Sequence, residues 1–337
     1  LRWGSDYKMK YNGSVVNATY AFIDGSDALL SVTPQVTLDA PDGEREHHRP
    51  ADVMVSMNGQ QYYDSGTFGF YEEPLVLSVS PNTGPVGGST LLRVSLSALR
   101  GHEGSALICR FGAGTGGTTG SGLVALYPPV DSEAYANPSV ANELLCRLPP
   151  DLPIGGHAFE ISLNAQEFTS SNLNFTVYDL SEVNLLSPSS GPTTGDTSVR
   201  VFGAHFTAPL GVLGSHYLCK FEESIVGAFH TIESDASLVS YARRWPRPQH
   251  DGVSHPDEMY CRSPPRDAGD ATASGPYPLE VSLNGQNYTE SETLFTYYSP
   301  PEPLTLCPSS GPIRGETTVR ITGREFALGS DYRISLT

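Results

Sequence analysis

Three short stretches alternate apolar and polar residues with a period of two: Thr90-Leu-Leu-Arg-Val-Ser-Leu96, Thr197-Ser-Val-Arg-Val-Phe-Gly203 and Thr317-Thr-Val-Arg-Ile-Thr-Gly323. That period puts every second side chain on one face, so each stretch predicts a strand with one face buried. One eight-residue phrase precedes each of them: Pro81-Asn-Thr-Gly-Pro-Val-Gly-Gly88, Pro188-Ser-Ser-Gly-Pro-Thr-Thr-Gly195 and Pro308-Ser-Ser-Gly-Pro-Ile-Arg-Gly315. Its Pro and Gly content predicts a turn that feeds the strand. A second phrase also recurs, as Val55-Ser-Met-Asn-Gly-Gln60, Ile161-Ser-Leu-Asn-Ala-Gln166 and Val281-Ser-Leu-Asn-Gly-Gln286, followed by Tyr62, Phe168 or Tyr288. Asn-Gly between alternating runs predicts a hairpin with a type I′ turn, which needs positive φ at both central residues. Ala165 stands where the other copies have Gly, and predicts a looser turn there.

The two phrases keep step. Pro81 to Pro188 spans 107 residues and Pro188 to Pro308 spans 120, while Asn58 to Asn164 spans 106 and Asn164 to Asn284 spans 120. A period of about a hundred residues means one small domain used repeatedly. Residues 75–180 and 181–303 each carry a full set of markers, with about seven predicted strands apiece, as a β-sandwich requires. Trp3-Gly-Ser-Asp-Tyr-Lys-Met-Lys-Tyr11 lines up with Leu213-Gly-Ser-His-Tyr-Leu-Cys-Lys-Phe221 and with Leu328-Gly-Ser-Asp-Tyr-Arg-Ile-Ser-Leu336. Residues 1–74 therefore read as the last two-thirds of a domain and residues 304–337 as the opening of another. The expected picture is a window on a longer array, offset in phase. It is either a simple truncation or a piece whose tail completes the head of the next copy, since a half sandwich exposes a sheet edge and an apolar face.

The set of Pro-x-x-Gly-Pro-x-x-Gly, Thr-x-Val-x-Ile-x-Gly strand, Asn/Gly hairpin and closing Phe-x-x-Tyr resembles the IPT/TIG family of immunoglobulin-like domains, over nearly the whole chain. The resemblance implies an all-β fold of tandem immunoglobulin-like β-sandwiches in an elongated array. Cys109-Arg-Phe with Cys146-Arg-Leu-Pro-Pro, and Cys219-Lys-Phe with Cys261-Arg-Ser-Pro-Pro, look like the paired cysteines of the extracellular branch of that family. Their recurrence at the same two positions of successive repeats argues for Cys109–Cys146 and Cys219–Cys261 disulfides rather than metal sites. Closing loops of this length stabilises each sandwich by about 4 kcal/mol on the chain-entropy model. Met9 and Leu38 are read as occupying the cysteine positions of the first domain, and Ile334 the first such position of the last. Cys307 has no counterpart, since Ser80 and Ser187 stand there in the other copies. It reads either as a free buried thiol or as a partner in a disulfide beyond this sequence.

Four N-glycosylation sequons point to the secretory pathway: Asn12-Gly-Ser, Asn17-Ala-Thr, Asn174-Phe-Thr and Asn287-Tyr-Thr. Asn174 precedes an inward-facing Phe175 and should face solvent; Asn287 follows a hairpin tip and Asn12 falls in a predicted loop. The Pro-Pro pairs read as domain punctuation, or as sugar-bearing hydroxyprolines in algal or plant-like lineages. A formal net charge of −17 describes an acidic surface that phosphate backbones repel, which argues against nucleic-acid binding although the domain type occurs in some transcription factors. No run of 18 apolar residues is present to span a membrane.

No catalytic constellation emerges. Gly112-Ala-Gly-Thr-Gly-Gly-Thr-Thr-Gly-Ser-Gly122 lacks the Gly-Lys-Ser/Thr of a phosphate loop, and no Gly-x-Ser-x-Gly elbow precedes a helix. Asp24-Gly-Ser-Asp27 and Asp39-Ala-Pro-Asp-Gly-Glu44 lack the alternating ligand ladder of a calcium loop. His47, His48, His250 and His255 have no partner at ligand spacing. Arg243-Arg-Trp-Pro-Arg-Pro-Gln-His250 is a basic, aromatic island, read either as a solvated loop or as a contact for an acidic neighbour or a glycan. The chain is expected to be no enzyme and to need no cofactor or metal. The favoured role is structural subunit of an extracellular, glycosylated filament or fibre whose partners are its own kind and neighbouring IPT/TIG domains. The alternative is the ectodomain stalk of a cell-surface receptor or adhesin, and a third class is an accessory module of a secreted carbohydrate-active enzyme.

Overall fold

The computed structural model describes residues 6–36, 48–99, 106–112, 129–206, 216–230, 258–266 and 273–335. Every regular element among them is a β-strand. Four units follow one another, numbered here in chain order.

Unit 2 (residues 75–180) contains β6 (Val76–Ser80), β7 (Thr83–Pro85), β8 (Leu91–Leu96), β9 (Ile108–Gly112), β10 (Val130–Ala136), β11 (Glu143–Arg147), β12 (Gly155–Ser162) and β13 (Leu173–Tyr178). The strand order is β6-β8-β11-β10-β9-β12-β13-β7. β10 pairs with β9 through Val130–Glu133 and then with β11 through residues 134–136, so it passes from one layer to the other. The layers are thus β6-β8-β11 and β9-β12-β13-β7. The period-two pattern puts Leu92, Val94, Leu144, Phe111, Phe159, Ile161 and Phe175 between them at full burial. This is the immunoglobulin-like sandwich.

Unit 3 (residues 181–303) repeats it with β14 (Glu182–Ser187), β15 (Ser190–Pro192), β16 (Ser198–Ala204), β17 (Leu218–Phe221), β18 (Ser224–His230), β19 (Glu258–Arg262), β20 (Gly275–Ser282) and β21 (Leu294–Tyr298), ordered β14-β16-β19-β18-β17-β20-β21-β15. Unit 1 contributes β1 (Lys8–Tyr11), β2 (Ser14–Ile23), β3 (Ser26–Ser31), β4 (His48–Ser56) and β5 (Tyr63–Tyr71), ordered β3-β2-β1-β4-β5. In unit 4, β22 (Glu302–Cys307) pairs with β23 (Arg320–Arg324). Phe22, Val32 and Ile313 in these two end units are exposed.

The recurring proline phrase is where a strand changes layer. β6 pairs with β8 in one layer; after the cis Ser80–Pro81 bond, β7 runs parallel to β13 in the other. Unit 3 does the same at Ser187–Pro188, with β15 beside β21. This short return strand makes eight strands per unit where about seven were expected. Gly84 has no room for a side chain, since a Cβ there would meet Thr90 Oγ1 at 2.7 Å and Leu148 Cδ2 at 2.9 Å. Gly88, at φ +80°, lies against the Leu148 carbonyl and Pro150, so the phrase and the Cys-Arg-x-Pro-Pro segment hold each other.

The structure joins Cys109 on β9 to Cys146 on β11, and Cys219 on β17 to Cys261 on β19, with Cα separations of 6.3 and 6.2 Å. Each bond ties one layer to the other inside the core. Unit 1 fills those positions differently from the sequence reading. Met9 pairs with Val16 and Val55 as Cys219 pairs with Val226 and Val281. Opposite it, Ser31 pairs with Ala18 as Cys261 pairs with Ala228. Ser31 donates to Met9 Sδ at 2.9 Å, so the second position belongs to Ser31. Leu38 lies outside the described residues.

Candidate functional site

The three Asn hairpins share one scaffold, and it is not the type I′ turn that Asn-Gly suggested. Gly59, Ala165 and Gly285 have positive φ; the preceding Asn residues do not. Serine and asparagine side chains supply the turn's bonds instead. In unit 3 the Gly285 N–H donates to Ser282 Oγ at 2.9 Å, and the N–H groups of Gln286 and Asn287 donate to Asn284 Oδ1 at 3.1 and 2.9 Å. The same carboxamide oxygen serves Gln60 and Gln61 through Asn58, and Gln166 and Glu167 through Asn164. Asn Nδ2 then donates to the side chain three residues on, which is Gln61, Glu167 or Asn287. Ala165 takes φ 62° and its tip keeps the bonds that the Asn164 side chain makes, but the bond from its own N–H to Ser162 Oγ is missing, and only the Asn164 N–H donates there, at 3.3 Å.

The 284–287 tip does something more. It reaches back to unit 2 and fastens on residues 83–91, the turn that the proline phrase builds. The Gln286 carboxamide donates to the Leu91 carbonyl at 2.8 Å and accepts from the Leu91 N–H at 3.0 Å, as a neighbouring strand would. Asn287 Nδ2 donates to Ser89 Oγ at 3.0 Å, and Asn287 Oδ1 accepts from Thr90 Oγ1 at 2.7 Å. Asn284, itself 3% exposed, donates to the Thr83 carbonyl and to Thr90 Oγ1, both at 3.3 Å. Thr83 and Thr90 are fully buried, so these bonds meet polar groups that water does not reach.

Tyrosines fix the same joint from the other side. Tyr178 ends β13 of unit 2 yet is buried in the unit 3 core with Val183, Phe206 and Val281. That burial, with Tyr217 nearby, holds its phenol well above its ordinary pKa. Tyr71, at the end of β5, packs likewise on the unit 2 core, and its phenol is raised by burial, then by Glu167 and Glu73. At the joint from unit 3 to unit 4 a different segment reaches the same turn: the Ser330 N–H donates to Ser190 Oγ at 2.7 Å, and Ser190 Oγ donates on to Ser330 Oγ at 2.8 Å. Ser190 is the counterpart of Thr83.

Between units 2 and 3 lies a cleft of about 590 Å³ whose lining includes Val86, Tyr178, Glu182, Leu283, Tyr288 and Glu290. The Tyr288 hydroxyl is shut off from solvent without a hydrogen-bond partner among the described residues. Among the described residues, no hydrogen bond joins the serine and threonine hydroxyls of its lining to Glu182 or Glu290. No group of His, Cys, Asp and Glu there or elsewhere among the described residues could hold a metal ion.

The other singled-out residues fall as follows. Asn17 and Asn174 lie exposed on β2 and β13, and Asn174 alternates with the buried Phe175. Asn12, at φ 44°, forms the exposed turn between β1 and β2, where Nδ2 donates to the Pro50 carbonyl at 3.3 Å. Asn287 stands apart because its carboxamide is in the joint. Cys307 is exposed at the end of β22, which corrects the buried-thiol reading. Asp24 and Asp27 lie at the turn between β2 and β3, with Asp27 accepting from the Tyr20 hydroxyl. The side chain of His48, together with His47, residues 39–44, 113–122, 243–250 and His255, lies outside the described residues. Sequence reasoning missed Thr83, Ser89, Thr90 and Gln286 as a contact set, although each falls inside or beside a phrase it had singled out.

Comparison with models of known protein families finds no match. Among solved structures, the chain is similar to the plexin A4 full extracellular region, domains 1 to 10, at 12% identity and TM-score 0.40, covering 95% of this chain and 28% of that one. A second plexin A4 structure, with domains 1 to 8, gives 12% identity and TM-score 0.36 over 88% and 30%. Chicken CNTN1 FN1–FN3 domains give 11% identity and TM-score 0.26 over 86% and 87%. The chain spans less than a third of the plexin chains, and no residue role is carried over from any of these proteins.

Proposed function

We propose that this chain is a non-catalytic piece of an extracellular array of IPT/TIG-type immunoglobulin-like domains, serving as the stalk of a cell-surface receptor or adhesin. Its contribution is reach and stiffness. The observation that carries this reading is the joint: a buried tyrosine passes forward from one unit, and a hydrogen-bonded hairpin of the next unit reaches back. Two bonds alone would leave neighbouring domains free to swing, since interfaces within a chain permit relative motion by default. The polar contacts at residues 83–91 and the inserted Tyr178 oppose that motion from two sides. Disulfides in both full units and the exposed Asn12, Asn17 and Asn174 sequons support an extracellular setting with N-linked glycans.

A filament subunit is the second reading, favoured by the joint's polarity. The turn and the hairpin that meet belong to successive units, so the contact is head-to-tail, and such contacts propagate into a filament unless their rotation closes a ring. Electron microscopy of the purified protein, with intact mass before and after deglycosylation and reduction, tests both. Monodisperse rods with one recurring interdomain angle are expected for a stalk, and ordered fibres would move the choice to a filament. A broad spread of angles between units 2 and 3 would overturn both.

A further inference from the structure

The Asn287-Tyr288-Thr289 sequon is composed of groups that the fold already employs. Thr289 Oγ1 donates to the Glu280 carboxylate and accepts from the Val281 N–H at 3.0 Å. Unit 2 has the same arrangement: Thr169 Oγ1 donates to Glu160 at 2.7 Å and accepts from the Ile161 N–H at 3.1 Å. There the residue two positions earlier is Glu167, so this threonine is present for the fold whether or not a sequon results. Asn287 has its own separate reason, since Ser89, Thr90 and Asn284 take up both ends of its carboxamide.

We propose that the Asn287 carboxamide is a latch between units 2 and 3, and that its engagement and its N-glycosylation exclude each other. The inference rests on the serial-joint reading above. Glycosylation would transfer an oligosaccharide from a lipid-diphosphate donor. Nδ2 bonds to the anomeric carbon, the carbon–oxygen bond to the diphosphate breaks, and the amide loses one proton. The attached sugar would then stand where Ser89 and Thr90 lie, and the hairpin could not seat. Asn12, Asn17 and Asn174, exposed and away from the joint, carry no such conflict.

The chain is secreted from glycosylating cells, and occupancy is read at each sequon by glycopeptide mass spectrometry. Spin labels at Ser139→Cys and Glu223→Cys, in a Cys307→Ser background, report the distance between units 2 and 3. The expected result is an Asn287 unmodified in most molecules, with a single narrow distance. Any fraction glycosylated there shows a broad distribution, as do Asn287→Ala and, on the other side of the joint, Thr90→Val. A glycan on Asn287 in molecules that keep the narrow distance would overturn the proposal, as would a narrow distance in both variants. A broad distance in the unmodified parent would instead overturn the serial joint itself.

Discussion

The hairpin tips at 164–167 and 284–287 are built alike and differ in what they touch. Both are held by an asparagine side chain whose bonds match within a few tenths of an ångström, and by a serine that accepts from the Asn164 N–H in the first and the Gly285 N–H in the second. The second docks on residues 83–91; residues 1–74 carry no proline phrase, so the first has no counterpart turn to meet within this sequence. The two tips also differ at the third position after the asparagine. Glu167 presents a carboxylate, which only accepts; Asn287 presents a carboxamide, which accepts from Thr90 and donates to Ser89. The scaffold is thus a common mount that carries a different side chain at this position in each unit.

If units 2 and 3 are internally equivalent, the heaviest blow should fall equally on both. Phe175 and Phe295 are fully buried at corresponding positions, packed edge-on against Phe111 and Phe221. Truncating either to alanine should destabilise its own unit by about 3–5 kcal/mol. Calorimetry that resolves the two units should show matched losses, and a large mismatch would break the equivalence. The asparagines then separate what the phenylalanines do not. Asn164→Ala removes only bonds within its tip, whereas Asn284→Ala also removes two bonds that cross the joint, to the buried Thr83 carbonyl and Thr90 hydroxyl. The second should cost about 1 kcal/mol more, the net worth of the lost hydrogen bonds across the joint. Equal denaturant midpoints would show that the joint bonds contribute nothing to stability.

Much of this was legible in the chain. Period-two runs such as Leu91–Leu96 gave their strands because one face must be buried, and the cysteines' repeat positions matched because each pair ties the same two layers. The hairpin phrase gave the right place and the wrong turn. Asn-Gly was read as a backbone device, but the serine two residues earlier competes for the same N–H groups and makes it a side-chain device. The joint was hidden for a different reason. Gln286 and Leu91 lie 195 residues apart in sequence, and no local period records a contact between units. What could have hinted at it is the surplus of polar residues in the two phrases, beyond what a turn alone requires.

Ala165 offers a finer test of the common mount. At φ 62° its Cβ crowds the backbone, whereas glycine in the sister tips does not. Ala165→Gly should therefore stabilise unit 2 by about 1 kcal/mol. Gly285→Ala should lose at least as much, because a Cβ there also meets His216 at 3.1 Å. A gain in neither direction would mean that the tips differ in ways their hydrogen bonds do not record.

The smallest effect at neutral pH belongs to His157, and it sharpens the comparison by acid. His157 pairs with Phe175 on β12 and β13 as Tyr277 pairs with Phe295 in unit 3, so one position is titratable in one unit and a phenol in the other. The imidazole is 8% exposed, with Nε2 donating to the Pro153 carbonyl at 2.7 Å. Burial lowers its pKa, and the bond to Pro153 only partly opposes this. Between the depressed folded value and the ordinary value of about 6.5, the unfolded chain binds more protons than the folded one. The stabilising contribution is therefore present above that ordinary value and drains away as pH falls towards the folded one. Unit 2 should lose stability on mild acidification relative to unit 3. His157→Tyr should leave the neutral-pH denaturant midpoint nearly unchanged and flatten the acid slope of unit 2; an unaltered slope would assign that pH dependence to groups other than His157.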